Sequence, residues 1–171
     1  MKKLMECKVV GYTRNSAIVD LKDGVRCYLP SDVISDVNML VNEKVYVGQK
    51  LTVTVEHTLT GIRLGHKELM TKKEDYISKH LGESIKARVV FTTNHGCMLE
   101  LNGNTYCHVN GMCNLLPGTI VWASISMKGW VSIDSVLYDE DKCYYPTYEY
   151  SLDNLNSFLK SDVTYEYNIA A

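Results

Sequence analysis

The sequence predicts a mainly β chain made of two small five-stranded barrels, joined by a short helix and followed by a short helical or extended tail. Two observations predict this. The first is a repeat: Cys7-Lys8-Val9-Val10 running to Ser16-Ala17-Ile18-Val19-Asp20-Leu21 returns eighty residues later as Ala87-Arg88-Val89-Val90 running to Gly96-Cys97-Met98-Leu99-Glu100-Leu101. A constant offset over two segments marks two copies of one module. The second is a period of two in apolar residues, as where Leu51, Val53 and Val55 alternate with Thr52, Thr54 and Glu56, which is the signature of half-buried strands.

In the first copy, Glu6–Tyr12 is a β-rich run and Ser16–Leu21 alternates. Lys22-Asp23-Gly24 is a hairpin signal before Val25–Leu29. Ser31-Asp32 is placed to cap a short helical turn through Val37. Strands over Leu51–Val55 and Ile62–His66 complete the copy. The second copy reads as Ser84–Thr92, Gly96–Leu101, Thr105–Val109, Thr119–Met127 and Trp130–Leu137, with Lys128-Gly129 as a tight turn. Small deletions align Asp23-Gly24 with Asn102-Gly103, Tyr28-Leu29 with Tyr106-Cys107, and Gly48–Val55 with Gly118–Ile125. The stretch from Asn110 to Pro117 replaces the longer one from Ser31 to Val47. Five short antiparallel strands with the long connection between the third and fourth follow the plan of a closed Greek-key barrel, the OB-fold.

Between the copies, Met70, Ile77 and Leu81 share one face of a helix predicted over Lys67–Leu81, with Tyr76 beside them and Gly82 as its stop. The predicted organisation is a barrel over 1–69, a helical linker over 70–82, a shorter barrel over 83–138 and an acidic tail over 139–171. The tail carries Tyr144, Tyr145, Tyr148, Tyr150, Tyr165 and Tyr167, which are expected to pack on their own domain. It also carries a short helix over Ser151–Leu159 capped by Ser151, and a loose or extended end over Asp162–Ala171.

A copy of about 70 residues is near the size where one core is only marginally stable, so each barrel is expected to lean on flanking segments. No apolar run approaches the roughly 20 residues of a membrane span. Met-Lys-Lys followed by polar residues gives no signal-peptide core, so a cytoplasmic location is expected. Cys7, Cys27, Cys97, Cys107, Cys113 and Cys143 form no CxxC pair, and most sit at apolar strand positions, as reduced thiols do. A metal site through Cys107, His108 and Cys113 lacks the paired short spacings of zinc ligands, and no cofactor is expected. The net charge of -2 divides into +4 over residues 1–90 and -6 over residues 91–171. That split reads either as a nucleic-acid-facing half or as ordinary surface charge. No P-loop, nucleophile elbow, HExxH or GxGxxG is present, so a binding protein rather than an enzyme is expected.

Several segments resemble the S1-type RNA-binding domain. In the first copy they are Lys8-Val9-Val10, Ser16–Val19, Tyr28-Leu29-Pro30-Ser31, Val47–Val55 and Gly61–Lys67. In the second they are Arg88-Val89-Val90, His95–Leu99 and Cys107-His108-Val109. The resemblance covers about residues 5–69 and 84–137. It implies single-stranded RNA bound on one barrel face, with aromatic rings stacking on bases and cations meeting phosphates. Carried over by position, the candidates in the first copy are Lys8, Arg14, Asn15, Ile18, Arg26, Tyr28, Lys50, His57 and Arg63. Asn15 and Ile18 stand where the family has aromatics, and Pro30 where it has a histidine. In the second copy they are Arg88, His95, Met98, His108 and Trp130, with His108 at the family's histidine position. Trp130 is open between a buried barrel residue and a stacking platform, and His108 between a rim polar group and a ligand contact. Tyr28 reads as packing.

The expected function is weakly sequence-selective binding of single-stranded RNA. Phosphate contacts would come from the first copy and the linker, and stacking from the second. The alternative is an adaptor docking on a ribosome, RNA polymerase, nuclease or other ribonucleoprotein machine, favoured by the missing aromatics and the tyrosine-rich tail.

Overall fold

The computed structural model describes residues 2–111, 114–137 and 148–159. Tyr144, Tyr145, Tyr165, Tyr167, the end over 162–171, and the cysteines Cys113 and Cys143 lie outside the described residues. The chain divides into two compact units, residues 1–70 with 148–171, and residues 71–147. Met70 and the described part of the tail thus belong to the first barrel, and the linker helix to the second.

The first unit holds β1 (Lys2–Tyr12), β2 (Ser16–Leu21), β3 (Arg26–Pro30), β4 (Lys50–Thr58) and β5 (Gly61–Gly65) in the order β3-β2-β1-β4-β5. The second holds β6 (Ser84–Thr93), β7 (Gly96–Asn102), β8 (Thr105–Asn110), β9 (Ile120–Ile125) and β10 (Val131–Val136) in the order β10-β9-β6-β7-β8. All pairings are antiparallel, and the two sheets have the five-strand plan of OB-like barrels. Alternation places Val9, Ala17, Val19, Leu29, Leu51, Val53 and Val55 inside the first barrel. It places Val89, Leu99, Val121, Ala123 and Ile125 inside the second.

Several backbone features recur in the two units. The β1–β2 pairing shifts between Val9 and Gly11, and the β6–β7 pairing between Val89 and Phe91. Gly48 donates to Val9 O at 2.7 Å, and Gly118 to Val89 O at 2.7 Å. Both glycines have positive φ, 97° and 92°, a conformation that favours glycine.

Register also corrects the alignment. Ile18 lies opposite Tyr28 and Met98 opposite His108, while Asp20 lies opposite Arg26 and Glu100 opposite Tyr106. The offset of eighty therefore runs through the third strand without a deletion. Tyr28 corresponds to His108, and Pro30 to Asn110. Two unrelated tyrosines had suggested a shift that the pleat forbids, because a slip would exchange ladder partners along the whole strand.

Two elements differ from expectation. The helical turn after β3 is α1 (Ser31–Ile34), ending before Val37, and no side chain caps its start. Lys44, at the end of a second turn α2 (Val41–Lys44), ends it from below by donating to Ser31 O and Ser35 O at 2.8 and 2.9 Å. The linker is not one helix. A 3-10 turn (Lys67–Leu69) is followed by extended Met70, and α3 spans only Lys73–Lys79. Met70 and Tyr76 serve different cores, which a single helical face cannot do.

The tail helix α4 (Leu152–Leu159) starts as expected, with Ser151 Oγ accepting the Asn154 N–H at 3.3 Å. Tyr148 and Tyr150 pack on the first barrel. His66, fully buried, anchors them. Its Nδ1 lies 2.9 Å from Ile34 O, which can only accept, so Nδ1 carries the proton and Nε2 accepts. The Tyr150 hydroxyl donates to Nε2 at 3.0 Å and accepts the Thr52 N–H at 2.9 Å. Tyr148 donates to Lys44 O at 2.9 Å. Burial lowers the His66 pKa to about 4 against the bond to Ile34, and burial pushes the Tyr150 hydroxyl upward.

Candidate nucleic-acid interface

The second barrel gathers the strongest set of candidate groups. Directly opposed residues of adjacent strands share a face, so Phe91, Met98 and His108 form one row across β6, β7 and β8. Beyond β8 opens a groove of about 470 Å³, lined by Lys73 and Ile77 of α3, residues 107–110 of β8, and Gly129 to Ser132 of the β9–β10 hairpin. This volume lies within the roughly 300–1,000 Å³ typical of small-molecule sites. Trp130 is 74% exposed, so its indole is not a core residue. The hairpin holds it by its backbone, whose N–H donates to Ser126 Oγ at 3.1 Å. Among the described residues no carboxylate lines this groove, and Lys73 is its one cation. Burial raises the Cys107 thiol pKa and the nearby Lys73 ammonium opposes that rise. His95 is exposed in the β6–β7 turn, where its carbonyl accepts the Gly111 N–H at 2.9 Å.

The first barrel places its candidates on two rows. Lys50, Lys8, Asp20 and Arg26 lie side by side across β4, β1, β2 and β3, and Gly11, Ile18 and Tyr28 form the next row. Tyr28 is 64% exposed rather than packed. Arg26 grips Asp20 through Nε and Nη2 at 2.7 and 3.1 Å. That bond holds the Asp20 carboxyl below its ordinary pKa and raises that of Arg26. Arg14 and Asn15 are exposed in the β1–β2 turn. Asn15 faces a polar cleft of about 420 Å³ that also carries Asp32, Asp36 and Lys44, a lining less suited to phosphate. His57 and Arg63 lie away from these rows, on β4 and β5, where Arg63 stands 3.7 Å from Glu56.

Arg88 is not at the surface. It is 4% exposed and meets Glu100 at 3.3 Å, while the Tyr106 hydroxyl donates to the same carboxylate at 2.9 Å. Arg88 is the counterpart of Lys8, and Glu100 that of Asp20, so one polar position is solvated in the first barrel and internal in the second. Sequence reasoning missed Phe91, and it expected phosphate contact from the linker without singling out Lys73. Phe91 was legible as the counterpart of Gly11 at the same offset, whereas Lys73 reaches the groove only because α3 folds against the second barrel.

Cys7, Cys27, Cys97 and Cys107 are free thiols, and burial raises the Cys7 pKa to about 12. Among the described residues no three His, Cys, Asp or Glu side chains converge as metal ligands, and Cys113 lies outside them.

No family model matches the chain, and no curated protein does. Among solved structures it is similar to a crystal structure of a multidomain protein with nucleic acid binding domains from Streptococcus pneumoniae. The identity is 13%, the TM-score 0.30, and the match covers 81% of this chain. The chain spans 46% of that protein, and a TM-score of this size carries no argument about function.

Proposed function

We propose that this chain binds single-stranded RNA through two S1-like barrels, with the groove of the second as the base-contacting site. It acts as a binding protein of the cytoplasm, not as an enzyme. The observation that carries this reading is the exposed Trp130 indole beside His108 in one carboxylate-free groove. A large aromatic left in water forgoes the gain of burial, and flat exposed rings are what unstacked bases use. The row of Lys50, Lys8 and Arg26 on the first barrel supports phosphate contact, tempered by Asp20.

The reading predicts binding of RNA oligonucleotides whose logarithmic affinity falls linearly with the logarithm of salt concentration. The double variant Trp130→Ala with His108→Ala should weaken binding by about 1–3 kcal/mol per stacked base lost. Unchanged affinity in that variant would remove the second barrel from the RNA site. The adaptor reading is favoured by internal neutralisation, since Arg26, Arg63 and Arg88 each meet a carboxylate. It wins if no RNA binds at low salt and a protein partner co-purifies.

A further inference from the structure

The groove beside Trp130 is bordered by main chain that the barrel leaves unused. In an antiparallel pair, residues alternate between those bonded to the neighbour and those whose N–H and C=O point away. The bond from Gly111 N to His95 O makes 95/111 a bonded pair, and stepping along the register makes 97/109 and 99/107 bonded too. His108 and Asn110 therefore turn their N–H and C=O to the outer edge of β8, which is the edge of its sheet. The same reasoning applies to the hairpin. Ser126 N donates to Trp130 O, and Ile125 N donates across to Glu83 O. Val131, opposite Ile125, thus turns its own N–H and C=O to the outer edge of β10. Among the described residues these groups of His108, Asn110 and Val131 meet no protein partner, and all three residues line the groove.

Resting on the RNA reading above, we infer that this groove reads the identity of one unpaired base. The base stacks on Trp130 and presents its Watson–Crick edge to the main chain of His108 and Asn110. An N–H and a C=O side by side match the adjacent donor and acceptor of a base edge, and unstacked bases are read on such edges. An extended peptide fits less well. The usable edge of β8 ends at Tyr106 and Thr105, 7% and 0% exposed, leaving only Cys107 to Asn110 where a paired strand usually has about five or six residues. The first barrel supplies a contrast. Its counterpart of Asn110 is Pro30, opposite Ser16 as Asn110 is opposite Gly96. A proline there has no N–H to offer, so the first barrel lacks this donor.

Pro30 also suggests the test, because the fold already accepts proline at this edge position. Affinities of the full chain are measured by fluorescence anisotropy for labelled octamers of each of the four ribonucleotides. The preferred octamer is also measured with a methyl group on the pairing-edge ring nitrogen. The expected result is a spread of about tenfold or more between bases, lost on methylation and in Asn110→Pro, and kept in Asn110→Ala, which retains the N–H. Quenching of Trp130 fluorescence by the preferred octamer, read in a Trp122→Phe background, would place the base in this groove. RNA binding with equal affinity for all four bases overturns the inference and leaves the RNA reading standing. Absence of RNA binding at low salt overturns both, as does Trp130 quenching by an extended peptide and by no oligonucleotide.

Discussion

Acid should loosen the first barrel through one residue, His66. Its imidazole is neutral in the folded chain, donating to Ile34 O and accepting from Tyr150. Protonation would put a second N–H against the Tyr150 hydroxyl, which already accepts the Thr52 N–H, and would place a charge where no solvent reaches. The groups around the ring are Tyr148 and Tyr150 from the tail, the Ile34 carbonyl after β3, and Glu68 one turn on, whose charge favours the protonated form. Burial dominates, and the pKa falls from 6.5 to about 4. Between these values the unfolded chain binds more protons than the folded one, so stability is full above about pH 6.5 and is lost as pH falls toward 4. At about 1.4 kcal/mol per pH unit the total loss is about 3 kcal/mol, with about 2 kcal/mol gone by pH 5. Urea denaturation between pH 7 and pH 4.5 should show this slope in the natural chain and a reduced one in His66→Asn, whose amide can still donate to Ile34 O. A histidine ring resonance titrating near pH 6.5 and assigned to His66, or equal slopes in the two proteins, would refute the reasoning.

Two further perturbations probe the buried polar groups. Tyr150→Phe removes the hydroxyl that joins Thr52 to His66 and should cost about 1–3 kcal/mol in urea denaturation, the usual penalty for leaving buried groups unpaired; an unchanged midpoint would mean that apolar packing alone holds the tail. Glu100→Gln strips the charge from the buried partner of Arg88 and should cost about 3–5 kcal/mol, whereas Arg26→Ala at the exposed counterpart pair should leave the midpoint nearly unmoved; similar losses in both would sink the distinction between the two barrels.

Much of the fold was legible because strands announce themselves locally. Ser16–Leu21 is a strand to the residue, since the alternation of Ala17, Val19 and Leu21 leaves one burial pattern only. Turns were legible for the same reason: Gly129 has the positive φ that Lys128-Gly129 suggested. The linker was misread because helical periodicity cannot say which core claims each apolar residue, and Met70 and Tyr76 are claimed by different ones. Of the site, Met98, His108 and Trp130 were found as separate candidates. Met98 lies opposite His108 in the sheet, and the meeting of His108 with Trp130 in one groove depends on β8, the β9–β10 hairpin and α3 coming together, which are remote in sequence. Arg88 looked like a phosphate ligand because type and position matched Lys8, and nothing local told that Glu100 and Tyr106 would enclose it.

By itself, the sequence pointed to two five-stranded units and to the apolar strand residues that face inward. Those properties follow from the period of the pleat and from a repeat that any chain position can be compared against. The tertiary structure decided the rest: which of two equivalent polar positions stays in water, that Tyr28 stands where the second barrel has His108, and that Pro30 closes an edge that Asn110 leaves open. Ladder register and burial depend on partners tens of residues away, and only folding brings those partners together.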